Sequence, residues 1–240
     1  MKRWAIFVLL CLPALAMAAD APAAQKLKVV MFSGSSEYKS NQTLANLKKV
    51  LEEKYGCDCV LNIVQDKGTA LTGASGLEKA DVGIFFTRRI AVSDEDLAKV
   101  RAFVKRGGGV VGIRTASHGF QTWLKFDPEV LGGSYNNHWG KDVPAEVTIE
   151  ATNKDHPVLA GVKNFSTTGK LYKNPHLAED VKVLLRAKTT EYGEPVAWVR
   201  DAKEGERGRV FYTSLGTPGD FENEEFVRMV GNAVRWVGGR

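Results

Sequence analysis

The stretch Gly107-Gly108-Gly109-Val110-Val111-Gly112-Ile113-Arg114-Thr115-Ala116-Ser117-His118 is a glycine-led apolar run that stops abruptly at an arginine. A short continuous apolar run between turn residues predicts a strand buried on both faces, as in a parallel sheet covered by helices. The carboxyl ends of such strands open into the crevice where α/β proteins bind ligands. We therefore expect any active site to lie at Arg114 and the residues that follow it.

Strands and helices alternate in the chain that precedes this run. Apolar runs predict strands over residues 27–32, 59–64 and 81–86, and apolar residues at helical spacing predict a helix over 41–55. Ser93 is the predicted N-cap of a second helix, because three acidic residues follow it. This β-α-β-(short α)-β-α-β order, with right-handed crossovers, predicts a flavodoxin-like three-layer α/β fold with a mainly parallel sheet.

The second half of the chain has a different pattern. Between residues 126 and 188 the helical period fades and short alternating segments appear, such as 145–149 and 181–185. Such segments predict β-rich insertions that extend the sheet and cover its strand ends. After them we expect two more strands and a closing helix, over 196–199, over 210–213 and from about Glu224.

The amino terminus has the features of a secretory signal peptide. Residues 1–18 contain Lys2 and Arg3, then an apolar run, then small residues. The run is too short to span a bilayer, so we expect an exported protein, periplasmic or secreted, with no stable membrane insertion. Residues 19–26 would form a short tail and residues 27–240 a single domain, since no linker or charge block divides them.

Charge and cysteine content limit the classes of partner. The 240 residues carry a net charge of +5, and removal of the signal peptide leaves 31 basic against 28 acidic residues with the signs interleaved. This pattern is typical of a solvated surface, and we expect no nucleic-acid partner. Cys57 and Cys59 could form a disulfide or remain free thiols. The sequence leaves a homo-oligomer open.

Two of the loops after predicted strands contain charged candidates. In residues 33–40, Glu37 is a candidate acid or base beside a helix start that could hold an anion; the alternative is a glycine turn with a solvated glutamate. In residues 87–89, Arg88 and Arg89 could bind a carboxylate or phosphate, hold Glu37, or form a plain surface pair. A parallel topology would bring these loops to one edge of the sheet.

The loop after the opening strand is the most informative, because it has the build of a strand-to-helix elbow. We expect Arg114 to orient ligand oxygens, and His118 to exchange a proton or a hydrogen bond with the ligand. The alternative for His118 is a purely structural role in fixing the loop. Attack by Thr115 or Ser117 is not expected, since no G-x-S-x-G surrounds them and adjacent residues seldom align as a dyad.

His138 and Trp139 lie in a glycine-flanked loop of the irregular region. This pair could supply a proton and a flat apolar wall that grips a sugar face. Four histidines are available for a metal, but none has a compact ligand spacing, so our predicted site contains no metal and no cofactor. A metal-dependent hydrolase remains an alternative hypothesis for the function of the protein.

Several stretches, taken in order, resemble the ThuA-like (trehalose utilisation) family, whose fold is similar to that of class I glutamine amidotransferases. They are residues 33–40, 86–89, 112–120, 137–140, 155–161, 171–172 and 208–216. In the amidotransferases a cysteine nucleophile occupies the place of Arg114. A guanidinium cannot act as that nucleophile, so we reject thiol amidase chemistry.

The resemblance implies a role near carbohydrate catabolism. The leading hypothesis is an exported enzyme that acts on a sugar or keto-sugar by hydrolysis, isomerisation or lyase chemistry, with a sugar-like small molecule as its ligand. The catalytic candidates are Glu37 and His118. The substrate-binding candidates are Arg88, Arg114, Thr115, His138, Trp139, Tyr172 and Asp220. The rival hypothesis is a non-catalytic carbohydrate-binding or partner-binding module.

Overall fold

The structure is a computed structural model that describes residue 1 and residues 25–140 and 142–240. The predicted signal peptide, apart from residue 1, and most of the predicted tail lie outside these residues. Within the described residues, no helix is both long enough and apolar enough to cross a membrane.

The described residues form one nine-stranded sheet and four α-helices. The strands are β1 (Leu27–Gly34), β2 (Cys57–Ile63), β3 (Val82–Thr87), β4 (Gly109–Ile113), β5 (Ala145–Ile149), β6 (Phe165–Thr167), β7 (Lys182–Lys188), β8 (Gly193–Arg200) and β9 (Val210–Thr213). The helices are α1 (Ser40–Lys54), α2 (Asp94–Lys105), α3 (Pro218–Glu222) and α4 (Glu224–Val237).

The sheet is mixed, with the strand order β2-β1-β3-β4-β9-β8-β7-β5-β6. The first five strands are parallel and have the flavodoxin-type order that the sequence predicts. The remaining pairings are antiparallel, which is a larger antiparallel share than expected. The reason lies in the connections: β7, β8 and β9 follow one another through loops too short for the crossover that parallel pairing requires.

Helices cover both faces of the parallel part, as a three-layer fold requires. In β1, Val29 and Met31 belong to the core cluster shared with α1 and α4, whereas Val30 and Phe32 belong to the cluster shared with α2. Helix α2 begins at the predicted cap, where Ser93 Oγ accepts a hydrogen bond from the backbone nitrogen of Asp96 at 3.2 Å. The continuous apolar runs thus match strands buried on both faces.

The glycine-led run forms β4 and then turns sharply. The strand begins at Gly109 because Gly107, with φ 92°, completes the turn after α2. At the other end Arg114 has a left-handed φ of 46°, and a 3-10 helix over Arg114–His118 follows instead of an α-helix. The predicted elbow is therefore present, in a tighter form.

Candidate functional site

The carboxyl ends of four neighbouring parallel strands lie at one edge of the sheet. Gly34 of β1 pairs in register with Thr87 of β3, and Ile113 of β4 pairs with Thr213 of β9. The loops that follow these strands must therefore be neighbours. The first three of these loops contain Glu37, Arg88 and Arg114, and the loop after β9 leads to Asp220.

Each of the first four strands is followed by a basic residue in a left-handed backbone conformation. These residues are Lys39, Lys67, Arg89 and Arg114, with φ between 46° and 57°. The conformation is unfavourable for a residue with a side chain and concentrates at functional sites, where the surrounding structure imposes it. Hydrogen bonds between the loops impose it here, including Arg89 N to His118 O at 3.0 Å and Lys67 N to Arg88 O at 3.0 Å.

Arg114 is buried and holds two loops together. Its terminal nitrogens donate to the carbonyl oxygens of Ser214 at 2.8 Å and Lys170 at 3.3 Å. The guanidinium carbon lies 4.3 Å from the ring centroid of Tyr38 and 4.7 Å from that of Tyr172, within cation–π range. Only Nε lacks a partner among the described residues. The predicted contact with ligand oxygens could use that atom or the second N–H of either terminal nitrogen.

Glu37 and Arg88 form an ion pair at the rim of this edge. Arg88 Nη2 lies 3.2 Å from Glu37 Oε2, and Arg88 Nη1 lies 3.6 Å from Asp66 Oδ1. The Glu37 side chain is 52% exposed, so a ligand can reach it. Asp66, which also accepts from Ser36 Oγ at 2.7 Å, was missed by the sequence reasoning. Its position just after β2 could have identified it.

His118 lies among aromatic rings. Its ring stacks on Tyr135 with centroids 4.3 Å apart, and the Tyr172 centroid lies 5.8 Å away. Nδ1 is 3.2 Å from Ser117 Oγ, so that hydrogen bond involves the ring nitrogen nearest the backbone. Tyr135 was not a predicted site residue, because nothing in its irregular segment distinguishes it.

The surroundings of His118 keep its imidazole neutral at physiological pH. Burial, and after it the nearby guanidinium charges of Arg89, Arg88 and Arg114, together lower its pKa to about 3. An imidazole of this pKa can accept a hydrogen bond at neutral pH, but it is too weak a base to hold a proton there. The structural alternative, a histidine that fixes its loop, is also satisfied by the contact with Ser117.

Asp127 forms a hydrogen bond that helps to fix the backbone of Tyr135. Its Oδ2 accepts a hydrogen bond from the backbone nitrogen of Tyr135 at 2.7 Å, and the carboxyl group is buried. Burial raises the pKa of Asp127 to about 6, although this hydrogen bond acts in the opposite direction. The backbone of Tyr135, whose ring stacks on His118, is therefore bonded to a carboxyl group with a pKa of about 6.

Asp220 and Thr115 are both buried. Asp220 forms a capping box at the start of α3 with Thr217, and it also accepts from Gly216 N at 2.8 Å and Thr167 Oγ1 at 2.7 Å. These bonds occupy both of its oxygens with the protein's own donors. Thr115 Oγ1 has no hydrogen-bond partner within the described chain. Its hydroxyl remains available, but only to a group that enters the buried region.

His138 and Trp139 lie on opposite faces of a short backbone ladder. His138 pairs with Tyr172 in this ladder, so their side chains share the face toward the strand ends. Trp139 points the other way, where it stacks on Tyr192 with centroids 4.4 Å apart and lies under Lys173 Nζ at 4.3 Å. The structure therefore brings His138 and Tyr172 to the site and does not bring Trp139.

The remaining candidates lie elsewhere. Cys57 and Cys59 are free, buried thiols at the amino end of β2, away from the strand ends that carry the site. No group of three or more His, Cys, Asp or Glu side chains is arranged to hold a metal ion within residues 25–140 and 142–240.

Comparison with known proteins identifies relatives of the chain. The family described as "ThuA: Trehalose utilisation" matches residues 28–237. A ThuA-like protein from Bacteroides uniformis ATCC 8492 is similar in structure, with a TM-score of 0.66 and 21% identity over 91% of this chain and 95% of its own. A ThuA-like protein from Parabacteroides merdae ATCC 43184 has a TM-score of 0.68 and 17% identity over 89% and 90%. No curated protein matches the sequence.

Proposed function

The chain belongs to the ThuA family, which is described by trehalose utilisation, and we propose from this premise that it is an exported protein that binds and converts a sugar or keto-sugar at the carboxyl edge of its sheet. Export is supported by the signal-peptide pattern of residues 1–18. Sequencing the amino terminus of protein recovered outside the cytoplasm tests that part, and an intact Met1 there would contradict it.

The observation that carries the proposed chemistry is the environment of His118. A histidine whose pKa is lowered to about 3, at the strand ends of an α/β sheet, is a strongly perturbed group in the place where such folds bind ligands. The rings of Tyr135 and Tyr172 stand beside it at stacking distance. Aromatic rings with polar groups at their edges suit a ligand that has both apolar faces and hydroxyl groups, as a sugar does.

Glu37 is the group best suited to remove a proton from such a ligand. Its carboxylate is accessible, and Arg88 holds it by an ion pair that orients one oxygen and leaves the other near Tyr38 Oη at 3.3 Å. His118, neutral at physiological pH, would accept a hydrogen bond from a sugar hydroxyl. Proton transfer of this kind serves hydrolysis, isomerisation and lyase reactions alike.

Arg114 acts in this proposal as a positioning residue. Its bonds to Ser214 O and Lys170 O fix two loops of the site, and its contacts with Tyr38 and Tyr172 fix two aromatic side chains. These bonds and contacts also favour the second candidate function, a sugar-binding protein without catalysis. A buried arginine bonded to carbonyl oxygens makes a binding site rigid.

The experiment that separates the two functions compares turnover with binding. Purified protein is incubated with trehalose, other disaccharides and their keto derivatives, and products are followed by mass spectrometry while calorimetry measures affinity. We expect Glu37→Gln to lower kcat by about a hundredfold or more with little change in affinity, as loss of a general base does. Glu95→Gln is the matched control, since Glu95 is an exposed partner of Lys99 on α2.

Each outcome decides between the candidates. Turnover by the wild type that Glu37→Gln and His118→Gln leave unchanged would refute the assigned chemistry. If sugars bind but none is converted, the protein is a sugar-binding protein and the enzyme hypothesis is refuted. If the protein neither binds nor converts any sugar of the panel, both candidate functions are refuted.

A further inference from the structure

The backbone ladder that contains His138 has two sides. The inner side faces the candidate site at the strand ends, called the strand-end site below, and the outer side faces away from it. Residues 136–139 pair with residues 171–173 through bonds that include Trp139 N to Leu171 O at 3.0 Å. Tyr172 contacts Arg114 and His118 on the inner side. Lys173 follows Tyr172 directly, so its side chain points outward, where it meets the ring of Trp139. The ladder therefore separates the strand-end site from the surface beyond Trp139.

A groove of about 740 Å³ lies on this outer side. Its lining includes Trp139, Tyr192, Pro144, Thr190 and Glu191. Two aromatic rings, an apolar ring and two exposed polar side chains face one space. No lysine or arginine is among the described residues that line it, and Glu191 is their one carboxylate. The aromatic rings and hydroxyl groups of the described lining favour a ligand that has an apolar ring face and hydroxyl groups.

The aromatic part of the groove is held rigidly from behind. Trp139 Nε1 donates to Glu194 Oε1 at 2.9 Å, which fixes the indole. The Trp139 and Tyr192 rings are nearly parallel, at 12°, so the indole covers one face of the phenol ring. Thr189 anchors the backbone of Tyr192 through hydrogen bonds in both directions, at 2.8 Å and 3.0 Å. The half-buried phenol ring, which also packs against the core, is thus fixed in place where it lines the groove.

We propose that this groove is a second carbohydrate-binding site, in which a pyranose ring of a neutral saccharide stacks on Tyr192 while Thr190 and Glu191 bind its hydroxyl groups. A preorganised aromatic surface loses little conformational freedom on binding, which is the condition for useful affinity from so few contacts. The site is distinct from the strand-end site and involves binding alone. It stands whether or not Glu37 and His118 are catalytic.

The test measures saccharide affinity by calorimetry with maltotriose and trehalose as probes. We expect Tyr192→Ala to weaken the affinity for maltotriose by about tenfold, since an aromatic contact of this kind is worth about one decade in Kd. Tyr192→Phe keeps the ring and should stay within about threefold of wild type. Glu191→Gln, at an exposed position outside the core, should weaken binding without affecting the fold.

His118→Gln separates this site from the strand-end site. If the groove binds maltotriose, this variant keeps the wild-type affinity for it even when conversion of sugars is lost. Maltotriose binding that survives unchanged in Tyr192→Ala and Glu191→Gln would overturn the proposal, as would binding that His118→Gln abolishes. Failure of Glu37→Gln to affect turnover bears only on the strand-end site.

Discussion

The lowered pKa of His118 has a consequence that unfolding experiments can measure. The pKa is about 3 in the folded protein and 6.5 for an ordinary histidine. Below pH 6.5 the unfolded chain takes up a proton at this position, and the folded protein does not until the pH approaches 3. The unfolded state is therefore favoured as the pH falls, and His118 lowers the free energy of unfolding progressively between pH 7 and pH 3.

The magnitude follows from the two pKa values. Between pH 7 and pH 5 proton uptake by the unfolded chain lowers the free energy of unfolding by about 2 kcal/mol through His118 alone. His118→Gln removes this contribution, so the variant should lose about 2 kcal/mol less than wild type over the same interval. The absolute stability of the variant also reflects the lost stacking on Tyr135. For that reason the change with pH, not the stability at one pH, is the quantity to compare.

The assay is urea unfolding of both proteins at pH 7, 6 and 5, followed by far-UV circular dichroism. All other titrating groups are present in both proteins, so their contributions cancel in the difference. His176→Gln, at an exposed position, retains His118 and should therefore keep its pH-dependent loss. Parallel curves for wild type and His118→Gln would refute the reasoning. So would an NMR titration that placed the His118 midpoint near 6.5.

Two further predictions concern other buried charges. Arg114→Met leaves the carbonyl oxygens of Ser214 and Lys170 without donors in a buried region, and we expect it to lower the free energy of unfolding by about 3 kcal/mol. Arg114→Lys should recover little of this loss, because an ammonium group cannot reproduce the planar fork of donors. Near-wild-type stability of either variant in urea unfolding at pH 7 would contradict this prediction. Asp127→Asn removes a carboxyl group whose pKa is raised by burial from 3.8 to about 6. Ionisation of this group destabilises the wild type as the pH rises, so the free energy of unfolding of the variant relative to wild type should increase by about 1.5 kcal/mol between pH 5 and pH 8. A constant difference over that range would show that the carboxyl group titrates normally.

The parallel half of the fold could be predicted from the sequence because its central strands, such as β3 and β4, are continuous apolar runs, whereas the edge strand β2 alternates buried and exposed residues. Such runs arise only where both faces of a strand are covered, and the helices between them imply crossovers with a fixed hand. The antiparallel half was harder to place. Its alternating segments predict strands but contain no signal for their order, which depends on hairpin lengths such as the turn at Thr189 and Tyr192.

The site could be predicted in its location and only partly in its members. Glu37, Arg88, Arg114 and His118 could be placed at one edge of the sheet because each follows a strand end, and this rule depends only on topology. Tyr135 comes from the irregular region, and its contact with His118 depends on the buried carboxyl of Asp127, which no local pattern reveals. Which face of a short ladder a side chain occupies is equally hidden, since a shift of one residue reverses it. Trp139 was assigned to the strand-end site for this reason.

The elbow at Arg114 shows how a fold keeps its geometry while its chemistry moves. The backbone there retains a left-handed φ of 46° and a helical turn directly after the strand, the arrangement that presents a reactive side chain in elbow enzymes. An arginine in this conformation cannot act as a nucleophile. Its side chain instead lies between Tyr38 and Tyr172 and bonds two carbonyl oxygens. The elbow therefore positions the aromatic side chains, and the polar groups that can act on a ligand lie around it: the accessible Glu37 as a base and the neutral His118 as a hydrogen-bond acceptor.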